Sequence, residues 1–285
     1  MSRYGLIRKR PDRRDYRFIP TLRYSGAFVD LSSGMPSVPY DQGALGSCVS
    51  NGVGACVDYA RARQGLLPYR PPSRLFVYYQ GRVRGGYPIG QDTGLQIRDG
   101  FDVIAKDGAP PETAWPYVIS RFAEKPPAAA YSAAADDQAV KYGAVSASAV
   151  DDTIASGYPV CFGFDVYESF EYGTTADSGI VPVPKRGEDY LGGHCMVWVS
   201  TPLDGSDTRV GGVPGVRYRK TLNSWGSGWG RGGWCWFPVS GLASDDYWMV
   251  TTMEDPAGPT PPPKPTPPAP WPCHWKAVRR LLGRD

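Results

Sequence analysis

Hydrophobic spacing changes period near the middle of this chain, and that limits what it can fold into. Val49, Val53, Cys56 and Ala60 recur at i, i+4, i+7 and i+11, one buried stripe of a helix that runs to about Arg63 and stops at Gly65. A second helix is predicted over about Ile97–Ala105, ended by the DGAPPE segment, and the alanine-rich run 128–135 reads as a surface crossover. After Tyr158 the pattern turns to short strands (YPVCFGFDVY, GGHCMVWVST, VRYRKTLNSW and GWCWFPV) separated by Gly, Pro and Asp clusters. With 35 glycines and 29 prolines in 285 residues the chain is rich in turns, which excludes a helical bundle. The expectation is an α+β protein with a helical first lobe, a β-rich second lobe and a cleft between them.

Charge is unevenly placed. The net charge is +3, but residues 1–24 carry +6 and residues 264–285 carry +4, leaving −7 on the body between. A basic arm beside an acidic body is expected to lie on its own domain; nucleic acid is not among the expected partners. From 256 to 272, PAGPTPPPKPTPPAPWP holds ten prolines in seventeen residues and reads as a polyproline spacer. Beyond it, 273–285 spaces Trp275, Val278, Leu281 and Leu282 between basic residues, a basic tail suited to an acidic or apolar docking partner. No apolar run is long enough for a transmembrane segment, and the N-terminal residues lack a secretory h-region. The expected setting is therefore a cytoplasmic one, in a bacterium or a virus-infected host, or a virion. Six scattered cysteines without CxxC spacing suggest neither a disulfide scaffold nor a metal site, and no cofactor motif occurs.

A lone helical cysteine is ordinarily a small buried hydrophobe. Cys48, however, follows Gly46-Ser47 at a helix start, where unpaired N–H groups and the positive end of the dipole favour thiolate. A thiolate attacking a carbonyl needs a base to hold and return the proton. His194 is the only histidine in the body, since the second, His274, lies beyond the proline tract. The imidazole needs an acceptor to orient its other nitrogen, which Asn223 can supply, and developing oxyanion charge needs donors such as the Gln42 amide.

QGALGSC, GGHCMV and NSWGSGWG, in that order, resemble the papain-like cysteine peptidases of bacterial and viral type. His194 lies 146 residues after Cys48 and Asn223 lies 175 after it. DTGLQIRDGFDVIAKDGAPPETAWPY and IASGYPVCFGFDVYESF are similar to the cleft-to-helix segment and the strand that opens the second lobe, so the likeness covers about 28–250. The resemblance implies the two-lobe fold and a peptidase body over 28–255, divided near 135/136, after a basic arm at 1–27. It implies Cys48 as nucleophile, His194 as base and acid, Asn223 as the orienting amide and Gln42 as the oxyanion side chain. Trp225 would cover the Asn–His bond, and Gly94 matches a cleft glycine whose backbone pairs with extended peptide.

Three positions depart from the family pattern. Leu45 replaces a disulfide cysteine, Val49 a tryptophan, and Cys195 a small alanine after the histidine. The 27 residues before Phe28 are shorter than the family's inhibitory segments, so restraint is expected from substrate access or from the arms. The function expected is hydrolysis of polypeptide through a thioester. The alternatives are hydrolysis of another amide, such as a peptidoglycan crosslink or an isopeptide, and a binding protein that keeps the fold.

Overall fold

The computed structural model describes residues 3–8, 12, 15–66, 70–135, 138–241 and 243–253. The proline tract and basic tail lie outside them. Helix α1, Cys48–Gln64, is central: its residues from Cys48 to Arg61 are all buried, and Gly65 closes it in the left-handed conformation at φ 69°. Small residues on α1 let the sheet approach, and Gly52 in particular faces the sulfurs of Cys161 and Cys195, which a Cβ would meet at 3.2 Å. Helix α2, Arg74–Gly85, starts on Ser73, whose hydroxyl accepts from the Phe76 N–H at 3.2 Å. Helix α3, Ile97–Lys106, buries Ile97, Gly100, Phe101, Val103 and Ile104 on one face.

The predicted surface crossover at 128–135 is instead a short helix, α4, Ala128–Ala134. Ala130 and Ala134, one turn apart, are fully buried, so the alanines serve as a packing stripe in place of a solvated loop. Three further short helices follow, α5 at Val150–Ala155, α6 at Glu168–Tyr172 and α7 at Thr175–Ser178.

The second half forms a seven-stranded sheet. Its strands are β1 Ala139–Ala144, β2 Val160–Tyr167, β3 Tyr190–Trp198, β4 Leu203–Asp204, β5 Arg217–Leu222, β6 Trp234–Pro238 and β7 Ala243–Met253. The order is β1-β7-β2-β3-β5-β4, with β6 on β5, and every pairing is antiparallel. The four strand-patterned segments match β2, β3, β5 and β6. One face packs on α1 and the helical lobe through Cys161, Cys195, Val197 and Trp248. The other encloses a second core of Phe162, Phe164, Met196, Trp198, Phe237 and Met249. A helical lobe and a β-rich lobe thus meet along α1.

The N-terminal arm lies on this body. Leu6 forms a parallel bridge with Leu95 of the helical lobe, while its N–H donates to Gly193 O of β3 at 3.0 Å. Farther on, Arg17 bridges Ala144 at the end of β1, and Asp30 pairs with Ser200 beyond β3. Ion pairs accompany the path: Arg3–Glu171, Arg8–Asp165, Asp15–Arg98 and Arg23–Asp152. The basic arm therefore lies on its own acidic domain, as its charge predicts.

Candidate active site

Cys48 is the first residue of α1, delivered by the turn after Gly43, which is held at φ 58°. Asp92 fixes this turn by accepting the Gly46 N–H, and the Ser47 hydroxyl meets the Tyr117 hydroxyl. Cys48 is fully buried, and backbone N–H groups of Gly5, Cys195, Val49 and Cys48 itself lie toward its sulfur. Cys195 follows His194 on β3, so the strand that carries the imidazole also runs its backbone past the helix start.

His194 Nε2 is 2.9 Å from Asn223 Oδ1, and its Nδ1 is buried without a hydrogen-bond partner among the described residues. The Trp225 ring lies 4.9 Å from the imidazole, centroid to centroid, and Phe164 meets it edge-on at 5.6 Å. Asn223 Oδ1 also accepts the Ser224 N–H at 2.8 Å. The Ser224 hydroxyl donates to Gln42 Oε1 at 2.6 Å, which turns the Gln42 NH2 toward Leu45 O and Arg3 O, both at 2.9 Å. Sequence reasoning passed over Ser224, because its part depends on a partner 182 residues away.

Gly94 sits in the cleft wall at φ 80°, and a Cβ there would lie 2.0 Å from Gly5 O. The backbone pairing itself belongs to the next residue: Leu95 N–H donates to Gly5 O and Leu95 O accepts from Ile7 N–H, both at 2.8 Å. Gly94 supplies clearance and Leu95 supplies the hydrogen bonds. Gly192 and Gly193 do the same for the opposite wall, since side chains there would strike Tyr4 and Leu6 O.

The arm thus lies against Cys48, Gln42, Gly94, His194 and Trp225, and burial decides the charge state of Cys48 and His194. Burial pushes the Cys48 thiol up to about 11, against the pull of the surrounding N–H groups. Burial also holds His194 down, to about 4, with the Asn223 bond opposing and the nearby Arg3 charge adding to the effect. The helix start favours thiolate, but in the closed cleft desolvation wins and both groups are neutral. The five described cysteines are buried free thiols, and no group of His, Cys, Asp and Glu among the described residues is arranged to hold a metal ion.

A two-lobe α+β body with a buried cysteine at a helix start and a buried histidine held on an asparagine amide is the architecture expected of a thiol peptidase. An uncharacterized peptidase C1-like protein of Acanthamoeba polyphaga mimivirus is 32% identical over 287 residues, spanning 89% of this chain and 88% of its own. Xylellain, a cysteine protease from Xylella fastidiosa, is 30% identical and superposes with a TM-score of 0.75 over 88% of this chain and 96% of its own. Bromelain from Ananas comosus, at 19% identity and a TM-score of 0.58 over 79% of this chain and 98% of its own, shares the fold. No family model matches the chain. On these relationships the chain belongs to the papain-like cysteine peptidases; it is a hydrolase of the thiol protease class.

Proposed function

We propose that this protein cleaves peptide bonds with Cys48 as nucleophile, His194 as acid and base, Asn223 as the orienting amide and Gln42 as oxyanion donor. Residues 28–255 act as the peptidase body and residues 1–27 as its restraint. The observation that carries the polypeptide substrate is the occupant of the cleft. Extended main chain lies there with one carbonyl on Gln42 Nε2, an N–H toward Cys48 Sγ, and a two-bond pairing to Leu95. A cleft that takes peptide backbone at each of these points suits an unbranched polypeptide better than a sugar-linked or branched amide.

In the reaction, His194 Nδ1 takes the Cys48 proton, and the thiolate attacks a substrate carbonyl. Its oxygen becomes negative between the Cys48 N–H and Gln42 Nε2. His194, with Nε2–H held on Asn223 Oδ1, returns the proton to the departing amine and leaves a thioester on Cys48. Water deprotonated by Nδ1 then attacks the thioester, a second oxyanion forms and collapses, and the acid leaves with the thiol restored.

The Trp225 ring lies 4.9 Å from the imidazole that protonates the departing amine, so this reading assigns that amine and the residues attached to it to the Trp225 side and the acyl residues to the Leu95 side. The arm runs the other way, from Arg3 at Trp225 to Ile7 at Leu95. It blocks the cleft without presenting a bond in the productive direction.

Digestion of a denatured polypeptide by the full chain, with mass spectrometry of the new termini, tests the roles. Cys48→Ala and His194→Ala are each expected to abolish cleavage with unchanged melting temperature, and Gln42→Ala to cost on the order of 10²–10³ in rate. Full activity in His194→Ala would refute the assignment, because no other described histidine can replace it.

A further inference from the structure

Glu171 lies outside the Cys–His–Asn–Gln group, yet its surroundings are built around a cation. It belongs to α6, which Phe170 anchors by packing its buried ring edge-on against Trp225 at 5.5 Å and Phe164 at 5.2 Å. That anchor sets the Glu171 carboxylate, only 16% exposed, beside the indole that covers the imidazole. Its hydrogen-bond partners among the described residues are the Arg3 guanidinium and the Tyr4 hydroxyl, both from the arm. The same guanidinium sits over the Trp225 ring, 3.8 Å from its centroid, and reaches far enough to act on His194. Carboxylate and indole face together form a two-sided cation cradle. When the arm leaves, the body supplies no replacement cation to Glu171 among its described residues. Both of its partners go with the arm, and the carboxylate beside the cleft is then open to a cation carried by a ligand.

We infer that Glu171 and Trp225 form a substrate subsite for a cationic side chain on the leaving-amine side of the scissile bond, and that the arm closes the enzyme by placing Arg3 in it. The inference rests on the peptidase reading, which fixes the Trp225 side as the leaving side. A reversed chain can fill a subsite with its side chain although its backbone runs backward, so Arg3 reports the chemistry the subsite takes: an arginine or lysine carried by the departing segment. Arg3 and substrate therefore compete for one carboxylate. Arginine meets it best, because its planar guanidinium can lie on the indole and donate to the carboxylate at once.

The test is a peptide library varied at the four residues flanking the scissile bond, with cleavage products sequenced by mass spectrometry. It is run on the full chain and on its Glu171→Gln and Glu171→Arg variants. The unmodified protein is expected to enrich Arg and Lys at the first or second leaving-side position, with kcat/KM about tenfold above matched Glu peptides, the scale of one charge-assisted hydrogen bond with a cation–π contact. Glu171→Gln should remove that preference, and Glu171→Arg should turn it toward Asp and Glu, while acyl-side preferences stay the same in all three proteins. Cleavage with no leaving-side charge preference, or with the same preference in Glu171→Gln, would overturn the subsite alone. Absence of cleavage by any of the three proteins would overturn the peptidase reading and the subsite with it.

Discussion

At the residue scale, burial holds both Cys48 and His194 in their neutral forms. His194 is neutral down to about pH 4 in the closed cleft, and release of the arm returns the imidazole toward its ordinary value near 6.5. Between these values the open state binds a proton that the closed state does not, so lowering the pH through that window favours opening, and raising it restores closure. The alkylation rate of Cys48, taken as a ratio to that of a variant with a permanently displaced arm, should therefore rise as pH falls from about 7 to about 4.5. A ratio that is flat or falls with acidification would contradict this. The candidate site residues were legible in the sequence because each carries its own local sign: a glycine turn before Cys48, paired glycines before His194, an Asn-Ser-Trp turn at Asn223. Glu171 and Ser224 carry none, since their meaning comes from Arg3 and Gln42, 168 and 182 residues distant.

At the element scale, α1 and α3 were readable because an apolar stripe and a stop signal coincide, and four strands were readable from β-branched and aromatic runs. The sequence reading missed β7, where Ser244, Asp245 and Asp246 precede the apolar run, and β1, which finds its partner over a hundred residues away. Nor did the run from Arg3 to Ile7 reveal that it would be held as an added strand, because neither wall alone binds it: Leu95 holds one side and Gly193 the other. The seat of this segment depends on Gly5, where a Cβ would lie 1.7 Å from Gly46 O, an atom of the rigid turn that delivers Cys48. Gly5→Ala should consequently expel the arm while leaving the body folded. The expected results are faster peptide hydrolysis, faster Cys48 alkylation and a melting temperature within a few degrees of the unmodified protein. Unchanged hydrolysis in Gly5→Ala would mean that the arm is not what limits access.

Across the whole molecule, the opposed charges of arm and body act as a distributed clasp whose strands differ in their contact with solvent. Arg23 is 91% exposed in its pair with Asp152 and Arg8 64% exposed in its pair with Asp165, whereas Arg98 is 17% and Asp15 11% exposed. Exposed pairs contribute little each and are screened within a Debye length of about 8 Å at physiological ionic strength and about 3 Å at 1 M. Salt should thus weaken the clasp first at Arg8 and Arg23, while the Arg98–Asp15 contact and the backbone bonds of Tyr16 and Phe18 with Ala144 keep the arm tethered. The arm would then leave the cleft without leaving the body. Initial rates of hydrolysis of an uncharged peptide, measured from low salt to about 1 M, should rise in the full chain and stay nearly level in Gly5→Ala, where the arm is already displaced. An uncharged substrate is needed because a cationic one would lose its own attraction to Glu171 over the same range. If both proteins respond to salt alike, the effect belongs to the catalytic body, and closure is held by the hydrogen bonds at Leu95 and Gly193 with no measurable help from charge.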